Sequence, residues 1–143
     1  MVDNDGHLIH IDFGFIFDIS PGGNMQFERS PFKFTQEYVD ILGGRPDTEQ
    51  FKWFIQQAIR AFLAIREHMN EVATLVELML DTKFQCFADN TIANLKSRFC
   101  PDTDIATASK FFLDTIFNCF SNVSSFTTWF YDKFQQYSNQ IEM

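Results

Sequence analysis

The sequence predicts a mainly α chain: a short strand-and-loop edge followed by about six helices. Two observations carry that expectation. Up to about residue 35 the chain is punctuated by turn residues, with Asp3-Asn4-Asp5-Gly6, Ser20-Pro21-Gly22-Gly23-Asn24 and Ser30-Pro31. Beyond it, apolar residues recur at spacings of three and four, the period of a helix with one buried face. Composition agrees, since 45% of the 143 residues are hydrophobic and 19 are Phe. That is enough apolar mass for one packed core, and it argues against a disordered chain.

The elements follow in order. Asp3 to Gly6 reads as a hairpin turn, and His7 to Ile11 as a strand leaving it. Only Met1 and Val2 stand where the partner strand belongs, which predicts a truncated hairpin. A loop of some twenty residues comes next, long enough to expect a function for it. Thr35 and Glu37 suit a helix start, and Gly43-Gly44 with Pro46 a stop. Asp47 or Thr48 caps a second helix, whose apolar face holds Phe51, Phe54, Ile55, Ala58, Ile59, Phe62 and Leu63. A third carries Met69, Val72, Ala73, Val76, Met79 and Leu80, and a shorter fourth carries Ile92 and Leu95. Pro101 to Asp104 opens a long fifth helix through Ile105, Ala108, Phe112, Ile116 and Cys119. A sixth holds Phe126, Trp129, Phe130, Phe134, Tyr137 and Ile141.

Charge narrows the function. The formal net charge is −8, so a basic face for nucleic acid is not expected. A polybasic anchor to anionic lipid is disfavoured on the same ground. Cys86, Cys100 and Cys119 show no metal-ligand spacing, and the expectation is three buried, reduced thiols. No signal peptide is recognised, and no apolar run reaches the ~20 residues of a membrane-spanning helix.

The chemistry concentrates at Asp12. This carboxylate closes an apolar run and is followed by Phe13-Gly14. Mg²⁺ takes oxygen ligands, commonly one or two carboxylates together with phosphate oxygens. A DFG triplet serves that role in kinases. By itself the triplet is also compatible with a solvated aspartate at a strand end.

The wider text decides more. HIDFGF (His10–Phe15), SPGGN (Ser20–Asn24), FKFT (Phe32–Thr35), ILGG (Ile41–Gly44), FKWF (Phe51–Phe54), FLAIREHM (Phe62–Met69), LVELMLDT (Leu75–Thr82) and YDKFQQYSNQI (Tyr131–Ile141) together resemble the C-terminal end of a phosphatidylinositol 4-kinase catalytic domain. The resemblance spans the whole chain, lies within the phosphatidylinositol 3-/4-kinase family, and is nearest the type III alpha kind. It implies the C-terminal part of a protein-kinase-like C-lobe, with a metal-binding strand end and activation loop over 1–34 and a helical lower lobe over 35–143. It implies ATP and Mg²⁺ as cofactors, with Asp12 as the metal ligand and Asp12, Phe13 and Gly14 as the nucleotide-metal segment. His10 is the family's histidine two places earlier, either packed beside the cleft or touching phosphate.

In such a family the loop after DFG faces the inositol headgroup. Here its basic residues are Arg29 and Lys33, set against Asp18 and Glu28. A polyphosphorylated headgroup calls for clustered cations. One or two suit unphosphorylated phosphatidylinositol, with Lys33 or Arg29 near the lipid phosphate. Gly22 and Gly23 serve a turn or, more weakly, a phosphate cradle. The aromatic C-terminal segment is either core or an interfacial helix.

The expected setting is the cytosolic face of a membrane, the plasma membrane first, with scaffold proteins as possible partners. The 143 residues contain no glycine-rich phosphate loop, no strand lysine paired to a helix glutamate and no catalytic-loop Asp and Asn. The expectation is therefore a fragment of a lipid kinase, inactive alone. Two other readings stand beside it: a non-catalytic helical interaction module, and a piece of a related giant protein kinase. One departure bears on structure. Glu67 stands where relatives carry Pro, which leaves the break between the second and third helices open.

Overall fold

The structure is a computed structural model, and it describes residues 3–7, 9–10, 16–17, 19 and 31–122. Among these residues the architecture is helical. Five α-helices follow one another: α1 (Gln36–Ile41), α2 (Glu49–Arg66), α3 (Met69–Glu77), α4 (Thr91–Ser97) and α5 (Ile105–Ser121), with a 3₁₀ turn at Leu80–Thr82.

Local chemistry sets the helix starts. Thr35, Thr48 and Asp104 hold extended backbone, and their side chains accept from the amides of Tyr38, Phe51 and Thr107. Each satisfies one of the orphan donors of a first helical turn. Between α1 and α2 the chain reverses through Gly43 and Gly44, both at positive φ. A side chain at Gly43 would also meet the Thr48 methyl at 2.8 Å. The Thr48 hydroxyl lies 2.6 Å from the Leu42 carbonyl and 2.9 Å from that of Arg45, so one residue caps α2 and closes the turn before it.

Two apolar clusters make the core. The first gathers Phe34, Val39, Phe51, Ile116 and Cys119, and packs α1, α2 and α5 together. Its aromatic rings meet edge-on, as at Phe51–Phe120, with centroids 5.2 Å apart and planes at 78°. That is a favoured ring geometry. The second gathers Phe62, Ala73, Leu95, Phe99 and Ala108. Ala73 and Ala108, 2% and 0% exposed, admit close approach of α3 and α5 to the Phe62 and Leu95 side chains. Phe112 packs against both clusters and lies flat on Phe62, with centroids 4.4 Å apart and planes 3° from parallel.

The helix order expected from periodicity is observed for the first five elements; the sixth, and its aromatic residues, lie outside the described residues. Four details differ from expectation. The hairpin turn is present, with the Asp3 amide donating to the His7 carbonyl at 3.0 Å, yet His7, Ile9 and His10 form no strand. A strand exists through its ladder, and among the described residues no neighbour supplies one. The third helix ends at Glu77, and Met79 is exposed, because the chain tightens into the 3₁₀ turn with the Thr82 hydroxyl on the Met79 carbonyl at 2.6 Å. Ile105 is exposed at the first position of α5. Of the three free thiols only Cys119 is buried, while Cys86 and Cys100 are half-buried outside the helices.

The α2–α3 boundary is a sharp two-residue break at Glu67–His68. It is held by Arg66. The guanidinium donates to the carbonyls of Phe99 (2.9 Å), Cys100 (3.0 Å) and Thr103 (2.7 Å). Cys100 and Asp102 stand in the left-handed region in this stretch, at φ +52° and +59°. The fork of one Arg thus collects carbonyls of a non-regular stretch, sharing that of Cys100 with the Thr103 hydroxyl at 2.8 Å.

Candidate functional site

Asp12, Phe13, Gly14 and Arg29 lie outside the described residues. The described segments on either side show how the helical lobe holds the region containing them. On the far side, Phe34 is 6% exposed and its ring meets those of Phe51, Phe54 and Phe120 at 6.1, 5.7 and 6.3 Å. Phe34 is buried while its neighbour Lys33 is exposed. Lys33 has an electrostatic counterpart in Glu37, in the first turn of α1. The Thr35 hydroxyl holds the Glu37 carboxyl below its ordinary value, and the Lys33 charge adds to that. Burial pushes the Cys119 thiol up, opposed in part by a hydrogen bond from the Phe32 backbone.

On the near side the chain turns at Ile16–Ile19, where the Ile19 amide donates to the Ile16 carbonyl at 3.3 Å. Phe17 stands in the left-handed region at φ +59°, uncommon for a bulky residue. Its ring packs on Phe87 at 5.8 Å, and its carbonyl accepts from Arg98 Nη2 at 2.9 Å. A cavity of about 690 Å³ opens beside this turn. Ile16 and Phe17 form one wall, and Met79 with residues 83–87 form the other.

His10 is exposed and without regular structure. His7 and His68 are surface residues. His7 belongs to the turn. Its Nδ1 lies 2.9 Å from Asp3 Oδ2, and Asp3 Oδ1 accepts the amides of Asp5 and His7. These bonds, first of all the one from the His7 amide, hold the Asp3 carboxyl below its ordinary value. Ligand atoms of Asp3, Asp5 and His7 lie within 4.8 Å of one another in an exposed group, where the Asp3 and His7 side chains bond within their own turn.

Sequence reasoning did not single out Arg66 or Arg98. Both act on main-chain carbonyls far away in sequence, and a carbonyl leaves no mark in the side-chain text. The only available signal was Arg66 in the last turn of α2, where a cation is favoured in any case. Among the described residues no helix is long and apolar enough to cross a membrane.

Comparison with known proteins completes the picture. Residues 1–89 match the family model described as phosphatidylinositol 3- and 4-kinase. The chain is 41% identical over 142 residues to phosphatidylinositol 4-kinase stt4 of Schizosaccharomyces pombe, covering 99% of this chain and 7% of that protein. It is 41% identical over 143 residues to phosphatidylinositol 4-kinase STT4 of Saccharomyces cerevisiae, with the same coverage. It is 37% identical over 144 residues to a phosphatidylinositol 4-kinase of Dictyostelium discoideum, covering 99% of this chain and 12% of that protein. The chain therefore spans a small part of the length of these relatives. The turn, the HIDFGF text and the helical lobe thus have one common source, and the chain belongs to the phosphatidylinositol 3- and 4-kinase family.

Proposed function

We propose that the chain is the lower part of a phosphatidylinositol 4-kinase catalytic domain, with the metal-binding strand end and activation loop in 1–34 and the helical lobe in 35–143. The parent enzyme transfers the γ-phosphate of ATP to the 4-hydroxyl of phosphatidylinositol at the cytosolic face of a membrane, the plasma membrane first. Scaffold proteins are possible partners there, and nucleic acid is not a ligand. The observation that supports this reading is the 41% identity along 99% of the chain to proteins named phosphatidylinositol 4-kinases.

Asp12 holds Mg²⁺ in this reading, with Phe13 and Gly14 shaping the backbone around it and His10 two places before. Mg²⁺ bound there would supply charge neutralisation for the transferring phosphoryl group. Lys33, exposed beside the buried Phe34, and Arg29 offer the lipid phosphodiester its cations. The 143-residue chain alone is inactive, because catalysis of this kind is positioning by several parts at once.

The test is a pair of assays. An antibody against residues 132–143 recovers the native protein from its source, and Mg-ATP transfer to phosphatidylinositol vesicles is measured beside the recombinant chain. The native protein is expected to run far above 16.7 kDa and to make phosphatidylinositol 4-phosphate, while the recombinant chain makes none. Phosphorylation of a protein substrate in place of the lipid would overturn the reading. In the active protein, Lys33→Glu raises the lipid KM about tenfold and leaves the ATP KM near its starting value.

A further inference from the structure

Helix α3 is apolar on two faces. Met69, Val72, Ala73 and Val76 bring one of them to the second core cluster. On the other, Leu75, Leu78 and Met79 recur at spacings of three and four. Helical backbone continues through Leu78, whose amide bonds the Thr74 carbonyl at 3.0 Å. These three side chains are 65%, 75% and 46% exposed. A helix that is apolar all round belongs in an interior, and a contiguous exposed apolar strip marks an interaction surface. We propose that this outer face of α3 docks an amphipathic helix of another protein, one with basic residues along its flanks.

Shape and charge define the occupant. Met79 and Phe84, the latter 56% exposed, also line the cavity of about 690 Å³. The strip therefore runs into a recess. That arrangement seats a large anchoring side chain of a helix lying in a groove. The rim is acidic. From 67 to 95 the sequence carries Glu67, Glu71, Glu77, Asp81 and Asp89, against Lys83 as the single Lys or Arg. Glu71 lies one turn before Leu75 and Asp81 two residues after Met79, and both are exposed. The contact of Glu71 with His68 spans 3.9 Å, too long for a hydrogen bond. An acidic rim around an apolar strip selects a cationic partner and repels an anionic one.

The same charge disfavours other occupants. A second copy brings a net charge of −8 to the face. An anionic bilayer is repelled likewise. Residues 123–143 of this chain carry Asp132 and Glu142 against Lys133, so they offer no basic flank.

The experiment uses the native protein that carries this chain. The probe is a synthetic amphipathic peptide of about 18 residues, with Leu at helical spacing, one Trp, Lys along the flanks and a benzophenone side chain. Binding is read by fluorescence anisotropy, and the photocrosslink is mapped by mass spectrometry. The crosslink is expected within residues 71–87. Leu75→Ser together with Leu78→Ser weakens binding about tenfold, and Glu71→Lys together with Asp81→Lys does so by a similar factor. Trp53→Ser, at a ring 63% exposed on α2, changes it by less than about twofold. A peptide with Glu in place of Lys does not bind. Every substituted side chain is exposed, so each variant keeps the wild-type Tm. Should the double Ser variant lower Tm, the crosslink on the wild type decides. No crosslink, a crosslink elsewhere, or an equal loss in Trp53→Ser overturns the docking surface. Equal binding of the Glu peptide overturns the basic partner. Three outcomes replace the foreign helix and overturn that assignment: self-association abolished by the double Ser variant means a second copy, flotation with phosphatidylserine vesicles abolished by it means a membrane, and peptide binding that appears only in Trp129→Ala with Phe130→Ala means the chain's own tail.

Discussion

Arg66 shows how much one side chain can settle in a helical lobe. Its fork joins the end of α2 to three carbonyls between Phe99 and Thr103. Hydrogen bonds to a charged group contribute about 1.5–3 kcal/mol, so Arg66→Ala is expected to cost about 3 kcal/mol in urea unfolding. Arg66→Lys recovers less than half of it, because an ammonium cannot span the fork. Asp104 offers a test by pH. The Thr107 amide, followed by the Thr107 hydroxyl, holds the Asp104 carboxyl below its ordinary value. Its folded form therefore favours ionisation. The stability it adds is fully present above about pH 4, the unfolded carboxyl range, and is lost as pH falls through the lowered folded value. The difference in Tm between wild type and Asp104→Ala should thus narrow below about pH 4. A constant difference down to pH 2 would contradict the cap.

At the scale of elements, the sequence was a good guide wherever a start was marked by a side chain. Thr35, Thr48 and Asp104 each stand one residue before a helix, and each accepts a backbone amide. The guide weakened where main chain decided. The end of α3 depends on a 3₁₀ turn, and the break at Glu67–His68 depends on carbonyls thirty-odd residues away. The strand expected at His7–Ile11 was read from side chains alone; its described residues, His7, Ile9 and His10, lack the paired backbone a strand needs, and Leu8 and Ile11 lie outside the described residues. Periodicity correctly separated the two faces of α2. Phe51 is 0% exposed, whereas Trp53 is 63% exposed. Phe51→Ala should cost about 3–5 kcal/mol, and Trp53→Ala less than about 0.5 kcal/mol, by urea unfolding. Comparable losses at both positions would mean that α2 faces a second packed surface.

For the whole molecule, the lobe was legible because a core of Phe, Leu and Ile at helical spacing fixes which faces meet. The candidate site was legible differently. Asp12 and Lys33 were chosen for chemistry and for resemblance. The structure adds the anchors around them at Phe17 and Phe34, which no composition argument could supply. The C-terminal aromatic segment carries the remaining membrane question. If it lies in the interface, Trp129→Ala together with Phe130→Ala in the native protein should lower binding to phosphatidylinositol-containing vesicles about tenfold, read by flotation. Unchanged flotation would assign those rings to the core.

The Arg66 fork has a consequence for the order of folding. Its partners lie 33–37 positions away, so the bond closes a loop that contains all of α3 and α4. Closing ~35 flexible residues costs about 3 kcal/mol of chain entropy, so the closure is favoured only after the enclosed helices have formed. The clasp is then absent from the transition state and present in the native state. Removing it with Arg66→Ala should leave the refolding rate nearly unchanged and speed unfolding roughly a hundredfold, a φ-value near zero. Arg66 thereby sets how long the lobe stays folded, and has little say in how fast it gets there.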